Sequence, residues 1–152
     1  MSDPLTFDSA SPRLGLPLLF AGQSQKEVFV NEAHALADAL LHCAIEGEAA
    51  APPASPTEGE NWLVAADATG DWLDRDGAIA CRQGGNWLFV TPIDGMRVLD
   101  RSTGQDLRYF AEWKKADAVV EPSAGSTVDS EARTAIGSLI LALRAAGVLP
   151  AS

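Results

Sequence analysis

The hydrophobic periodicity of this chain changes twice, and the changes limit the folds that it can adopt. In residues 29–43 apolar side chains recur at spacings of four and three, which is the pattern of one helix face. In residues 61–113 the period falls to two, in short runs separated by Gly, Asn, Asp and Pro. Helical spacing returns in residues 132–146. The sequence therefore predicts an α+β protein with a helix on either side of a small antiparallel β-meander.

The first part of the chain predicts an arm and a helix. Residues 1–23 are polar and then apolar, in a run that Pro17 breaks, so they predict an extended arm. Ser24 and Glu27 have the spacing of a capping box, which predicts a helix over 24–46 ended by Gly47. We expect the meander to curl against this helix. Its apolar stripe consists of Phe29, Ala33, Leu36, Leu40 and Cys43.

The later segments follow from composition and period. The sequence predicts a Pro/Ala linker over 47–60, a small antiparallel β domain over 61–114, a second linker over 115–127 and a helix over 128–147. Asp129 or Thr127 is expected to cap this last helix. Its stripe of Ala132, Ile136, Leu139, Leu143 and Ala146 has the spacing of a heptad seam, so we expect an oligomerisation or docking helix.

The charge balance excludes some partners. The chain of 152 residues has 11 Lys and Arg against 21 Asp and Glu, a formal net charge of −10. Nucleic acid and anionic lipid both select basic surfaces, so neither is an expected partner. No apolar run approaches the ~20 residues that span a bilayer, and the N-terminus lacks the pattern of a signal peptide. We therefore expect a protein that is made and kept soluble in the cytoplasm, from which a particle built there could carry it outside. Cys43 and Cys81 are expected to be small buried hydrophobes.

Sequence motifs give no support for a catalytic or metal site. His34 and His42 are eight residues apart on the predicted helix, too far to share a metal, although Asp38 lies four residues from each. The acids of the segment TGDWLDRDG fail the calcium-loop spacing and are expected to form turns. No nucleophile signature or phosphate loop is found. The expectation is a protein that is not an enzyme and has no cofactor, catalytic residue or metal ligand.

The four tryptophans leave one alternative open. Trp62 and Trp87 lie in predicted strands and are expected in the core. Trp72 lies in a turn between acids and is therefore the candidate for an exposed contact with a sugar ring. A carbohydrate-binding module that uses Trp72 is the alternative to an assembly protein. A capsule-degrading enzyme is a third hypothesis, which reducing-sugar release from purified capsule would test.

An ordered series of short motifs gives this chain a family resemblance over residues 11–115. The motif residues are Pro12-Arg13-Leu14, Leu18-Leu19, Ala21-Gly22-Gln23-Ser24-Gln25-Lys26-Glu27, Asn31-Glu32-Ala33, Pro52-Pro53, Ser55-Pro56, Gly59, Gly70, Trp72, Asp76-Gly77 and Trp87. This series resembles DUF2793, a family of alphaproteobacterial prophage and virion proteins. The tail VDSEARTAIGSLILALRAAGVL is similar to a helix at the C-termini of phage fibre and virion proteins. The family has no established catalytic residues to carry over.

The resemblance implies a structural role in a virion. Short members resemble a component of the head spikes of gene transfer agents, which are phage-like particles whose spikes help them attach to capsular polysaccharide. The implied function is that of a head-spike base subunit that anchors a receptor-binding fibre to the capsid. Its implied partners are its own copies, in a pentamer or trimer, the capsid protein and the spike fibre protein. The role in binding capsular polysaccharide would be indirect.

The apolar arm and the two helix stripes are surfaces that a chain of this size would struggle to bury, which favours a partner. The predicted interaction residues are Leu18, Leu19, Phe20, Gln23, Phe29, Ile136, Leu139 and Leu143.

Overall fold

A computed structural model describes residues 9–22, 26–120 and 129–150. It confirms mixed α+β content, with two α-helices and two four-stranded sheets in that part of the chain. The chain divides into two compact units. Unit 1 comprises Met1–Cys43 and Glu48–Thr91, and unit 2 comprises Ala44–Gly47 and Pro92–Ser152.

The helices and strands follow one another in a simple order. The described elements are α1 (Glu27–Leu40), β1 (Ala44–Ile45), β2 (Glu48–Ala49), β3 (Asn61–Val64), a 3₁₀ turn (Gly70–Trp72), β4 (Ile79–Gln83), β5 (Asn86–Val90), β6 (Arg97–Asp100), β7 (Gln105–Phe110), β8 (Glu112–Lys114) and α2 (Ser130–Ala145). Each predicted strand run therefore forms a strand, and the last run divides into β7 and β8.

The sheet of unit 1 has the strand order β2-β3-β4-β5. The short strand β2 pairs parallel to β3, and the other pairs are antiparallel. Gly84 and Gly85 connect β4 to β5 with φ angles of 58° and 77°, as a two-residue hairpin turn requires. The core cluster beneath the sheet contains Val64, Ala68, Trp72 and Ala80.

The sheet of unit 2 has the order β1-β6-β7-β8, with β1 parallel to β6. Successive side chains of its strands point to opposite faces of the sheet. The paired residues Val98 and Leu107 are buried on one face, and the paired residues Arg97 and Arg108 are exposed on the other. The segment after α2 is hydrogen-bonded to β7. The Gln105 side chain donates to the carbonyl of Val148 at 3.1 Å, and the Asp106 N–H donates to that of Gly147 at 2.8 Å.

The prediction of a single β-meander over 61–114 is wrong. The strands form two sheets, β5 of the first ending before Thr91 and β6 of the second following Pro92, and each sheet takes a short parallel strand from residues 44–49. Part of the predicted linker over 47–60 therefore belongs to a sheet as β2. A period of two identifies the buried side of a strand but not its neighbour, so the pattern could not distinguish one sheet from two.

The predicted helix limits are partly confirmed. Asp129 caps α2 by accepting from the Ala132 N–H at 2.9 Å, and α2 ends at Ala145. The first helix ends at Leu40 instead of residue 46, so His42 and Cys43 lie beyond it. The alternative cap Thr127 and the proposed cap Ser24 lie outside the described residues. Glu27, the partner that the capping box requires, accepts from the Gly22 N–H at 3.1 Å.

Within the described part of the chain, neither helix is long and apolar enough to cross a membrane.

Candidate functional site

The arm of unit 1 is held against α1 by a buried carboxylate. The Asp38 side chain is fully buried and accepts hydrogen bonds from Ser11 Oγ at 2.6 Å and from the Leu14 N–H at 2.5 Å. It also accepts from the Arg13 N–H at 3.1 Å and from Gln83 Nε2, on β4, at 3.2 Å. One carboxylate thus connects the arm, the helix and the sheet. We call the residues Ser11, Arg13, Leu14 and Asp38 the arm clasp.

The electrostatics of the arm clasp keep Asp38 ionised. Burial alone would raise the pKa of this carboxyl, because a charge is removed from water. The hydrogen bonds from Ser11, from the backbone of Leu14 and Arg13, and from Gln83 outweigh burial and hold the pKa below its usual value. The carboxylate has its partners within the fold, which is the arrangement of a structural group.

Arg13 determines where α1 ends. Its guanidinium donates to the carbonyl of Asp38, to that of Ala39 at 2.8 Å and to that of His42 at 3.0 Å. The last carbonyls of a helix have no partner within the helix, and a guanidinium with several N–H groups can satisfy them together. The chain then leaves the helix, and His42 takes a positive φ of 51°.

Two more polar side chains of α1 hold the apolar part of the arm. Asn31 accepts from the Leu19 N–H at 2.8 Å and donates to the Leu19 carbonyl at 3.0 Å, as a neighbouring strand would. His34 Nδ1 lies 2.9 Å from the Pro17 carbonyl, which can only accept, so Nδ1 carries the proton. Because Asn31, His34 and Asp38 are three and four residues apart, they share one face of the helix.

The packed face of α1 is therefore polar, and its apolar stripe lies on the opposite side. Phe29 is 76% exposed and Ala33 is exposed, while Leu36 and Leu40 are half-buried. The sequence predicts only that the meander curls against this helix, and the contacts with β3 and β4 are made by Ala39 and Asp38 rather than by the apolar stripe. We call the face formed by Phe29, Ala33, Leu36 and Leu40 the α1 face.

The predicted seam of α2 lies partly exposed on unit 2. Ile140 is 3% exposed, so it marks the packed side of this helix. Ile136 and Leu139 are 42% and 58% exposed, and Leu143 is half-buried. We call Ile136, Leu139 and Leu143 the α2 face.

The other predicted interaction residues differ in accessibility. Phe20 is 47% exposed, whereas Leu18 and Leu19 are half-buried in the arm. Gln23 lies outside the described residues. Leu18 also lines an open groove of about 290 Å³, together with Asn31, Glu32, Gln83 and Trp87.

The expected exposure of Trp72 is wrong. Its side chain has no exposed surface, and its ring meets the Trp87 ring edge-on at a centroid distance of 5.1 Å. The 3₁₀ turn directs Trp72 into the core, so it cannot stack on a sugar. Trp62 and Trp87 are half-buried and pack against the same core, in the places that the sequence predicts.

The acids and thiols have structural surroundings. Asp76 accepts from the N–H groups of Asp67 and Ala68 at 3.1 Å, as expected of a turn-forming acid. Cys43 and Cys81 are buried and free. Burial, and then the neighbouring Cys43 thiol, raise the pKa of Cys81 to about 12. Among the described residues no group of three His, Cys, Asp or Glu side chains is arranged to hold a metal ion.

Sequence reasoning missed the arm clasp. The spacing of Asn31, His34 and Asp38 was a signal, since three polar residues of one helix face need partners when that face is packed. Arg13 gave no comparable signal, because its partners are carbonyl groups 25 to 29 residues along the chain.

Comparison with known proteins adds one match. The model of a family described as a protein of unknown function, DUF2793, matches residues 30–114. No curated protein matches the chain. The matched region begins within α1 and ends at β8, so the arm and α2 lie outside it.

Proposed function

The chain belongs to the DUF2793 family, and on that premise we propose that it is a structural assembly subunit which binds its partners through exposed apolar helix faces. In its specific form, the proposal is a head-spike base subunit of a phage-like particle, a gene transfer agent, that anchors a receptor-binding fibre to the capsid. The orientation of α1 is the observation that supports an assembly role most directly.

An amphipathic helix of a soluble domain normally turns its apolar stripe to the core. Here the arm and the sheet occupy the polar face through Asn31, His34 and Asp38, and Phe29 remains 76% exposed. Val28 beside it is 64% exposed and Phe20 of the arm is 47% exposed. Large apolar side chains exposed to this extent on one helix and the arm before it favour a docking site. A partner that covered the α1 face would remove it from water.

The α2 face provides a second docking surface on unit 2. Leu139 is 58% exposed, and Ile136 and Leu143 lie one turn before and after it. Residues at this spacing pack into a neighbouring helix as the seam of a coiled coil does. A base subunit needs two kinds of contact, one with its own copies or the capsid and one with the fibre. Two separate apolar faces fit this requirement.

The test is the mass of the purified chain in solution, measured by light scattering over a range of concentrations. We expect a defined oligomer, a pentamer or a trimer, and its dissociation by Leu139→Glu. Leu141→Glu is the matched control, since Leu141 is 61% exposed on the other side of the same helix. Assembly that survives Leu139→Glu would remove the α2 face from the proposal. A wild-type monomer at every concentration would refute self-assembly.

Carbohydrate binding is the second candidate, and the groove of about 290 Å³ in unit 1 is the observation that favours it. Trp87 and the amides of Gln83 and Asn86 line this groove, and aromatic and amide groups are the usual partners of sugars. A glycan array with the wild type and Asn86→Ala would test it. No binding by the wild type would leave the assembly role alone.

A further inference from the structure

Three cations lie side by side on the exposed face of the unit 2 sheet. Arg97 on β6 is directly opposite Arg108 on β7, and Arg108 is directly opposite Lys114 on β8. All three side chains are exposed. Neighbouring strands are about 4.8 Å apart, and like charges opposite one another destabilise a sheet. We call Arg97, Arg108 and Lys114 the cation row.

The unit itself neutralises this charge only in part. Lys114 forms an ion pair of 3.4 Å with Glu112. Within residues 9–22, 26–120 and 129–150, Arg97 and Arg108 form no ion pair. A groove of about 390 Å³ contains the row, with Lys115 adding a cation and Asp106 an acid. Because arginine stays protonated at any physiological pH, the repulsion persists until an anion binds.

We propose that the cation row binds carboxylates on unit 1 of a second copy of this chain. This inference rests on the self-assembly in the proposed function and adds an ionic contact between copies to the apolar faces. Its first support is the uneven distribution of charge in the sequence. The residues of unit 1 include four Lys or Arg and twelve Asp or Glu, so a neighbouring copy offers a strongly acidic partner surface.

Suitable carboxylates are exposed in the turn region of unit 1. Asp67, Asp71 and Asp74 are exposed, and their carboxylates have no hydrogen bond or ion pair within the described ranges. Arginine binds such carboxylates in a two-pronged geometry that lysine and water reproduce less well. They can therefore provide the counter-charge that Arg97 and Arg108 lack among the described residues of unit 2.

A nucleic-acid strand fits this surface less well than protein carboxylates do. Asp106 and Glu112 lie on the same sheet face as the cations and would repel a continuous phosphate backbone. Three cations across three strands also span only about 10 Å. Isolated carboxylates can pair with Arg97 and Arg108 and avoid both acids.

The proposed contact joins two different surfaces, so it is heterologous. Repeating it builds a ring when the rotation closes and a filament when it does not. A contact between unit 2 of one copy and unit 1 of the next therefore provides what a closed cyclic base requires.

The primary test is Arg108→Glu, measured as the dissociation constant of the oligomer by sedimentation at about 0.05 and 0.5 M salt, where screening differs strongly. We expect association to weaken by about tenfold at low salt and by less at high salt. Arg101→Glu is the matched control, with the same charge change in the same unit outside the row, and we expect little effect. The monomer of Arg108→Glu should melt at a higher temperature than the wild type, since the central charge of the row now attracts both neighbours.

Charge reversal on both sides of the proposed contact provides a second test. Asp71→Lys with Asp74→Lys should weaken association alone, and combining these two changes with Arg108→Glu in one chain should restore it, because every contact of a ring then joins opposite charges again. No restoration in the combined variant, together with equal effects of Arg108→Glu and Arg101→Glu, would overturn the inference.

Two further outcomes separate this inference from the proposed function. If Leu139→Glu dissociates the oligomer while Arg108→Glu does not, the assembly role stands and the ionic contact is wrong. Arg108→Glu can also have the same oligomer mass as the wild type while inorganic polyphosphate binds the wild type and not the variant. The row is then a phosphate site, and the inference is also overturned.

Discussion

Replacing Asp38 by Asn tests the structural role of the arm clasp most directly. The substitution keeps the size of the side chain but removes its charge and turns one acceptor into an NH₂ donor. The N–H groups of Arg13 and Leu14, together with Ser11 Oγ, all converge on the carboxylate. An amide there can accept with one oxygen only, and its NH₂ group faces donors. We expect the arm to detach from α1.

The magnitude follows from the number of bonds. A hydrogen bond to a charged group contributes about 1.5–3 kcal/mol, and a buried donor left without a partner costs about 1–3 kcal/mol. Asp38 is fully buried, but Arg13 and Gln83 are half-buried and can regain water. Counting the two shortest bonds, from Ser11 and Leu14, with one acceptor retained by Asn, gives a loss of about 3 kcal/mol in the free energy of unfolding. That is a large part of the roughly 5–15 kcal/mol available to a domain.

The effect depends on pH in a fixed direction. The pKa of Asp38 is lowered in the folded protein, so its ionised form favours folding. This contribution is complete above the unfolded pKa of about 3.9 and is lost as the pH falls through the lower folded pKa. The difference between wild type and Asp38→Asn should therefore be full at neutral pH and shrink in acid.

Urea unfolding followed by tryptophan fluorescence measures both quantities. Trp72 and Trp87 lie in the core of unit 1, so the signal reports on the unit that contains the clasp. Glu32→Gln is the matched control, an exposed acid of the same helix, and we expect a change within about 0.5 kcal/mol. A loss below about 1 kcal/mol for Asp38→Asn, or one that persists unchanged in acid, would refute the reasoning.

Three further predictions concern unit 1. Arg13→Ala should lower the free energy of unfolding by about 1–2 kcal/mol, since it leaves the last carbonyls of α1 without their cap. Helix content by circular dichroism should also fall. An unchanged midpoint of urea unfolding would contradict the capping role. Cys43 and Cys81 should react with a thiol reagent only in denaturant, because both are buried and the pKa of Cys81 is raised to about 12. Rapid labelling of the native protein would contradict this burial. Trp72→Ala should cost about 3–5 kcal/mol as a large-to-small core substitution, measured by thermal unfolding, and a near-neutral result would mean that the ring is not packed.

Local pattern predicted the elements well. Strands β3, β4, β5 and β6 lie within the runs of period two, and Asp129 caps α2 as its residue type favours. These features depend on neighbours within a few residues. The pairing of strands into two sheets depends on partners far along the chain, and alternation is the same in either arrangement. For this reason the number of sheets could not be read from the pattern.

The end and the orientation of α1 needed tertiary information. Apolar spacing continues to Cys43, but Arg13 binds the carbonyl of Ala39 and the helix stops at Leu40. The rule that the apolar stripe faces inward also fails, because the arm supplies hydrogen-bond partners for Asn31 and Asp38. In the sequence, only the spacing of the polar residues Asn31, His34 and Asp38 indicates this arrangement.

Trp72 shows the same limit for the candidate site. Its acidic neighbours and its place between strands favoured exposure, whereas the 3₁₀ turn places it in the core of unit 1. Phe29 is strongly exposed, while its role as an interaction residue stays a prediction. The difference arises because a turn direction is set by backbone geometry, which composition does not encode.

The free energies of burial and association limit which of the proposed surfaces can hold copies of the chain together. At about 1.5–3 kcal/mol for a side chain that becomes fully buried, covering Phe20, Val28 and Phe29, which are 47%, 64% and 76% exposed, would contribute on the order of 4 kcal/mol. Association of two proteins costs an estimated 4–15 kcal/mol in lost translational and rotational freedom. Phe29 of the α1 face, with its exposed neighbours Phe20 and Val28, therefore at best balances that cost, and the α2 face, with Leu139 as its most exposed member, is of similar size. Neither apolar face should hold copies together by itself, so assembly requires a second surface, which is either the other apolar face or the cation row.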